Sequence, residues 1–264
     1  MEKIKNKMWI WGHDRGVHDY YNIPMKSKMT PLEGAMYLGT PNMCRVVFGG
    51  QPEPPFEQDA LALDCLNKVV WSIIGDGSST RNNNGGADID AVAEAARNHP
   101  NIVGGIMDDF LNPHRINMYS PQSLANFKKD LTEKSGREMQ LWTVIYTQEM
   151  NEIVIPYLKE CDVATLWTWE AKNLIDIEAN FEKFRKYWDT GKPLLGGCYL
   201  WNYGGGSTPM PLDLLKYQME FYHDLMKSGK LDGVVFCSNN VCDVGLEAPA
   251  FIKNWIKEHG DEIC

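Results

Sequence analysis

Two adjacent carboxylates, Asp108 and Asp109, close the apolar run GIMDDF at residues 105–110, and a third acid, Glu170, follows the aromatic segment LWTW. Two carboxylic groups opposed across a pocket are the minimum equipment for cleaving a glycosidic bond. One protonates the leaving oxygen, and the other attacks the anomeric carbon or activates water. The bulky apolar neighbours of Glu170 suit the protonated form that a general acid must supply. Adjacent residues on a strand point to opposite sides, so both aspartates reach one space only if the strand ends before them. Alternation allows either aspartate to face inward; Asp108 is the favoured inward group, with Asp109 turned to the loop or supporting it from behind. The competing, purely structural roles are helix capping and pairing with an arginine such as Arg115.

Polar and aromatic residues gather at equivalent places elsewhere in the chain. His13 and Asp14 follow the run MWIWG, Asp76 follows VVWSIIG, Trp169 precedes Glu170, Trp201 and Asn202 follow LLGGCYL, and Asn239 follows GVVFCS. These are the candidate substrate-binding residues. An indole face stacks on the apolar face of a sugar ring, while its N–H and the amides of asparagine serve hydroxyl groups. Of the nine tryptophans, Trp9, Trp11, Trp71, Trp142, Trp167, Trp169 and Trp201 fall within such runs. Tryptophan is larger than the branched aliphatics that usually fill barrel layers, which favours a ligand-facing role for Trp169 and Trp201.

Eight short apolar runs must position these groups. They start at Met8, Met43, Val69, Ile102, Met139, Val163, Pro193 and Leu231, and each is followed by a turn and a segment of helical spacing. Runs without strict alternation suit a parallel sheet covered on both faces. Thr30-Pro31, Ser120-Pro121 and Asp88 supply helix starts. Lys172 to Trp188 reads as one long helix, and Pro211 to Lys227 and Ala248 to His259 as the last two. The pattern predicts a single α/β domain over residues 1–264, a closed (β/α)8 TIM barrel. In that architecture the C-terminal strand ends form the working face, where all the candidates lie. The loops STRNNNGGAD and YGGGSTP, after the third and seventh runs, are placed to shape a pocket there.

Composition excludes several classes. A formal charge of −9 and the lack of a basic stripe argue against nucleic acid, and no apolar stretch is long enough for a membrane span. No GxGxxG follows the first strand, and the seven cysteines form no metal-binding pair and read as free thiols. Paired carboxyl groups need neither metal nor organic cofactor, so none is expected; the expected partner is a small carbohydrate or glycoside. The N-terminus has too short an apolar stretch for a signal peptide, which favours the cytoplasm unless a leader has been removed, in which case the periplasm or secretion follows.

The strand endings GIMDDF, LWTWE and CYLWNYG resemble those of the glycosidase-like (β/α)8 barrel superfamily over nearly the whole chain. An aspartate after strand 4 paired with a carboxylate after strand 6 is similar to the alpha-galactosidase and alpha-glucosidase clan. That resemblance implies Asp108 as nucleophile and Glu170 as acid/base. Glu170 stands where the clan has an aspartate, and Asn202 stands where more familiar glycosidases carry a glutamate after strand 7. Two other functions use the same residues. A metal-dependent sugar isomerase, epimerase or aldolase would hold manganese or magnesium with His13, a strand 4 aspartate and Glu170. A non-catalytic sugar-binding barrel would use the acids only as hydrogen-bond acceptors.

Overall fold

The computed structural model describes residues 2–82, 85–188 and 191–264; Asn83 and Asn84 of the STRNNNGGAD loop lie outside the described residues. Eight parallel strands close into one barrel. They are β1 Met8–Gly12, β2 Asn42–Arg45, β3 Lys68–Ile74, β4 Ile102–Met107, β5 Gln140–Tyr146, β6 Val163–Trp167, β7 Leu194–Tyr199 and β8 Gly233–Cys237. Neighbours in sequence are neighbours in the sheet, and β8 returns to β1 with Met8 opposite Val234 and Trp11 opposite Cys237. The predicted (β/α)8 TIM barrel is the observed fold.

The helices are α1 Pro31–Leu38, α2 Glu57–Ala62, α3 Ile89–Asn98, α4 Pro113–Met118, α5 Pro121–Ser135, α6 Ile155–Glu160, α7 Ile177–Tyr187, α8 Leu212–Lys227 and α9 Glu247–His259. Thr30 and Ser120 each close a reciprocal capping box, with proline opening the first turn. Asp88 differs from expectation: its carboxylate is taken by Arg81 at 2.9 Å and does not cap α3. The segment from Lys172 is also not one helix, because a 3-10 turn over Ala171–Asp176 precedes α7. All seven cysteines are unpaired, and no described helix is long and apolar enough to cross a membrane.

Tryptophan fills this barrel, contrary to the expectation from its size. Trp9 on β1 meets Trp142 on β5 with ring centroids 4.9 Å apart, and Trp11 on β1 meets Trp167 on β6 at 5.3 Å. These strands face each other across the barrel, so the rings touch through its interior. Room comes from β7, where a Cβ at Gly197 would fall inside the Trp167 indole. Gly197→Ala is therefore expected to destabilise the fold by about 3 kcal/mol, the upper end for overpacking, read as a lowered urea midpoint at unchanged m-value.

Candidate active site

Strand β4 ends at Met107, one residue before the first aspartate. The Asp108 amide still donates to the Ile74 carbonyl at 2.9 Å, but Asp109 adopts a left-handed conformation with φ of 46°. That turn cancels the alternation of the strand, so both carboxyl groups line one cavity. Phe110, fully buried between Tyr119 and Tyr157, anchors the turn from behind. Asn112 caps α4 through the Arg115 amide and also donates to the Asp109 carbonyl.

The cavity holds about 350 Å³ and opens at the C-terminal strand ends. Its acids are Asp76, Asp108, Asp109 and Glu149. Asp109 accepts the Tyr146 hydroxyl at 2.9 Å on one oxygen and the Gly77 amide at 3.3 Å on the other. Asp108 accepts the Asp109 amide at 2.9 Å. Asp76 accepts the Gly49 amide at 3.0 Å, the Ser78 amide at 3.1 Å and the Ser78 hydroxyl at 2.6 Å. Glu149 sits half-buried in the 3-10 turn after β5, accepting the Tyr146 amide at 3.0 Å.

Burial and like charge set the protonation of these groups. Burial, then Asp109 and Asp76, push the Asp108 carboxyl well above the ordinary range, against the Asp109 amide and Arg115. Burial also raises Asp109, opposed by the hydrogen bonds from Tyr146 and Gly77. Glu149 is pushed up to about 7, first by burial and further by Asp109, with the Tyr146 amide acting against. Arg115 does not pair with any aspartate: it donates to the carbonyls of Gly75, Asp76 and Asn82 at 3.1–3.3 Å.

A carboxyl raised by burial contributes stability while it is protonated and loses that contribution as pH rises through its folded pKa. Replacing Asp108 with isosteric Asn keeps the acceptor for the Asp109 amide and removes the buried charge. Asp108→Asn should raise Tm by about 2–4 °C at pH 8, roughly 1 kcal/mol in a chain of this size. Below the ordinary carboxylate pKa the gain should vanish, which thermal melts across pH would record.

Glu170 is not on this cavity. Trp169 takes the inward position after β6, and Glu170 begins the following 3-10 turn, a third exposed and paired with Lys172 at 2.5 Å. The expected opposition of Asp108 and Glu170 does not form, and neither does the metal-ligand set that needed Glu170 beside His13. Among the described residues, the only three-residue group of metal-ligating side chains is His223, His259 and Glu262, between α8 and the C-terminal segment.

Of the expected substrate-binding residues, His13, Asp76 and Trp169 line the cavity. Asp14 is turned aside by its ion pair with buried Arg45. Trp201 is buried in a short ribbon formed with Thr208–Pro209, and its indole N–H donates to the Tyr21 carbonyl at 3.2 Å. Asn202 binds the Ala171 amide at 3.0 Å and the Thr208 hydroxyl at 3.1 Å. Asn239 is spent on the backbone of His13, in both directions, and on the Met29 carbonyl. These three position loops and do not face the cavity.

Their places are taken by aromatic residues. Trp11 and Trp167 lie deep, Trp169 stacks on Tyr203 at 6.2 Å and 19°, and Tyr199 meets both edge-on. His18 donates to or accepts from the Tyr203 hydroxyl at 2.8 Å, and burial lowers its pKa to about 3. His13 is held well below the usual value by burial, His18 and Arg45, and its Nδ1 has no protein partner. Strand parity carried a signal for part of this set: Trp142, Val144 and Tyr146 alternate inward on β5, as do Trp9, Trp11 and His13 from β1. Glu149 carried none beyond following β5.

No protein-family model and no curated protein matches the sequence. Solved structures do. A protein assigned as an alpha-L-fucosidase from Bacteroides thetaiotaomicron aligns with a TM-score of 0.63 at 12% identity, over 98% of this chain and 97% of that one. A β-glucuronidase from Ruminococcus gnavus aligns at 0.55 and 11%, over 96% of this chain and 49% of that one, so this chain spans about half its length. The tryptophan synthase A-subunit of Pyrococcus furiosus aligns at 0.55 and 12%, over 98% of both chains. Glycoside hydrolases predominate among such neighbours. At these identities, what the chain shares with them is the barrel fold.

Proposed function

We propose that this protein is a carbohydrate-active enzyme, a glycoside hydrolase whose working carboxyl groups are Glu149 and Asp109. The observation that carries this reading is the meeting, on one aromatic-walled cavity, of a carboxyl held near pH 7 and a carboxylate oriented by two donors. Glu149 gives its proton to the glycosidic oxygen as the bond to the anomeric carbon breaks. Asp109, fixed by Tyr146 and Gly77, supplies negative charge to that carbon or takes a proton from the water that attacks it. Asp108 lines the cavity beside Asp109 and anchors its amide. The cavity size falls in the small-molecule range of about 300–1,000 Å³, and the protein assigned as a fucosidase among the fold neighbours supports the assignment.

The test is a screen of aryl glycosides to identify the sugar, followed by Asp109→Asn and Glu149→Gln assayed on an alkyl glycoside of that sugar, whose leaving oxygen needs a proton. Both variants should lose most activity; full activity in both would overturn the assignment. Sugar binding without turnover by the unmodified protein would leave a sugar-binding barrel instead.

A further inference from the structure

The charge on the cavity lining is one-sided. Asp76, Asp108, Asp109 and Glu149 all face it, and among the described lining residues there is no lysine or arginine. The guanidinium groups of Arg115 and Arg45 are committed elsewhere: Arg115 to backbone carbonyls, and Arg45 to Asp14 and Asp59. The imidazoles of His13 and His18 are buried and neutral, so they do not balance the acids. Around them stand the rings of Trp167, Trp169, Tyr199 and Tyr203, with Tyr21 packed edge-on against Tyr203 at 4.9 Å. Uncompensated carboxyl groups within an aromatic wall attract a cation twice, through charge and through the ring quadrupoles.

We propose that the cavity recognises a sugar carrying a protonated amine and rejects sugars carrying a carboxylate. The inference rests on the hydrolase reading only in taking the ligand to be a sugar. An ammonium group supplies the positive charge that no lining side chain provides, whereas a uronate brings another carboxylate to a lining that already holds four acidic side chains. Binding of the amine should also release protons. Its charge favours the ionised forms of Asp108, Asp109 and Glu149, whose pKa values are raised first by burial and further by neighbouring carboxylates. The other titratable groups facing the cavity do not supply them. Burial drives the phenols of Tyr21, Tyr146, Tyr199 and Tyr203 and the thiol of Cys237 upward, and the two imidazoles are already neutral.

The experiment is calorimetric and needs no turnover. Glucosamine, galactosamine and mannosamine are titrated into the protein at pH 6, where their amines are already protonated, beside their parent sugars and the matching uronates, in two buffers of different ionisation enthalpy. The amine of the preferred configuration should bind at least about tenfold more tightly than its parent, the worth of one desolvated cation–π contact. It should release up to about one proton, while the parent sugar releases none. Asp109→Asn should reduce both the preference and the release; where that variant fails to fold, Glu149→Gln reads the same effects. An amine that binds no better than its parent, a uronate that binds as well as the amine, or binding of none of them overturns the proposal. Amine preference without hydrolysis of any glycoside leaves it standing and ends the hydrolase reading; hydrolysis of neutral glycosides without that preference does the reverse.

Discussion

Glu149→Gln should lower kcat on glycosides with poor leaving groups by about 10²–10⁴-fold, the usual contribution of a positioned general acid. On 4-nitrophenyl glycosides, whose leaving oxygen departs without a proton, the loss should be much smaller. That contrast separates loss of an acid from loss of fold, since a misfolded variant fails on both substrates. Glu170→Gln is the matched control: its carboxylate is a third exposed, paired with Lys172 and not on the cavity lining. It should stay within about twofold of the unmodified protein, as surface substitutions usually do. A Glu170→Gln variant that loses activity while Glu149→Gln keeps it would reverse the assignment of the acid. Steady-state kinetics on one alkyl and one aryl glycoside decide the matter.

The barrel was legible because its signal repeats. Eight apolar runs at regular intervals specify one architecture, and small errors in any run leave the count intact. The acids of GIMDDF were legible because a charge pair ending an apolar run has few places to go in such a fold. Side-chain direction beyond the strand ends was not. Whether Asp109 turns inward depends on one left-handed residue, and whether Glu170 or Trp169 faces the cavity depends on where β6 stops, here at Trp167. The asparagines misled for a related reason. Asn202 and Asn239 have the chemistry to bind hydroxyls, but the backbone groups freed where strands end compete for the same amides, and backbone wins at both positions. Tryptophan was misjudged because its size was weighed against an average barrel, whereas β7 carries glycine where Trp167 needs room.

The pH dependence of kcat/KM should be bell-shaped, with its alkaline limb near 7, where Glu149 loses the proton it must donate. Above that pH the rate should fall about tenfold per unit. The acidic limb belongs to the Asp108–Asp109 pair, which must hold a negative charge on Asp109 and titrates as a unit. Tyr146 tunes that limb without taking part in proton transfer, because its hydroxyl stabilises the ionised form of Asp109 and burial keeps its own proton on. In Tyr146→Phe the Asp109 pKa should therefore rise, moving the acidic limb to higher pH and narrowing the bell. The alkaline limb should stay in place, since Glu149 is held by the Tyr146 amide, which phenylalanine retains. A variant that lost activity equally at every pH would assign Tyr146 to packing. One in which the alkaline limb moved instead would place the acid on a group that senses the phenol directly.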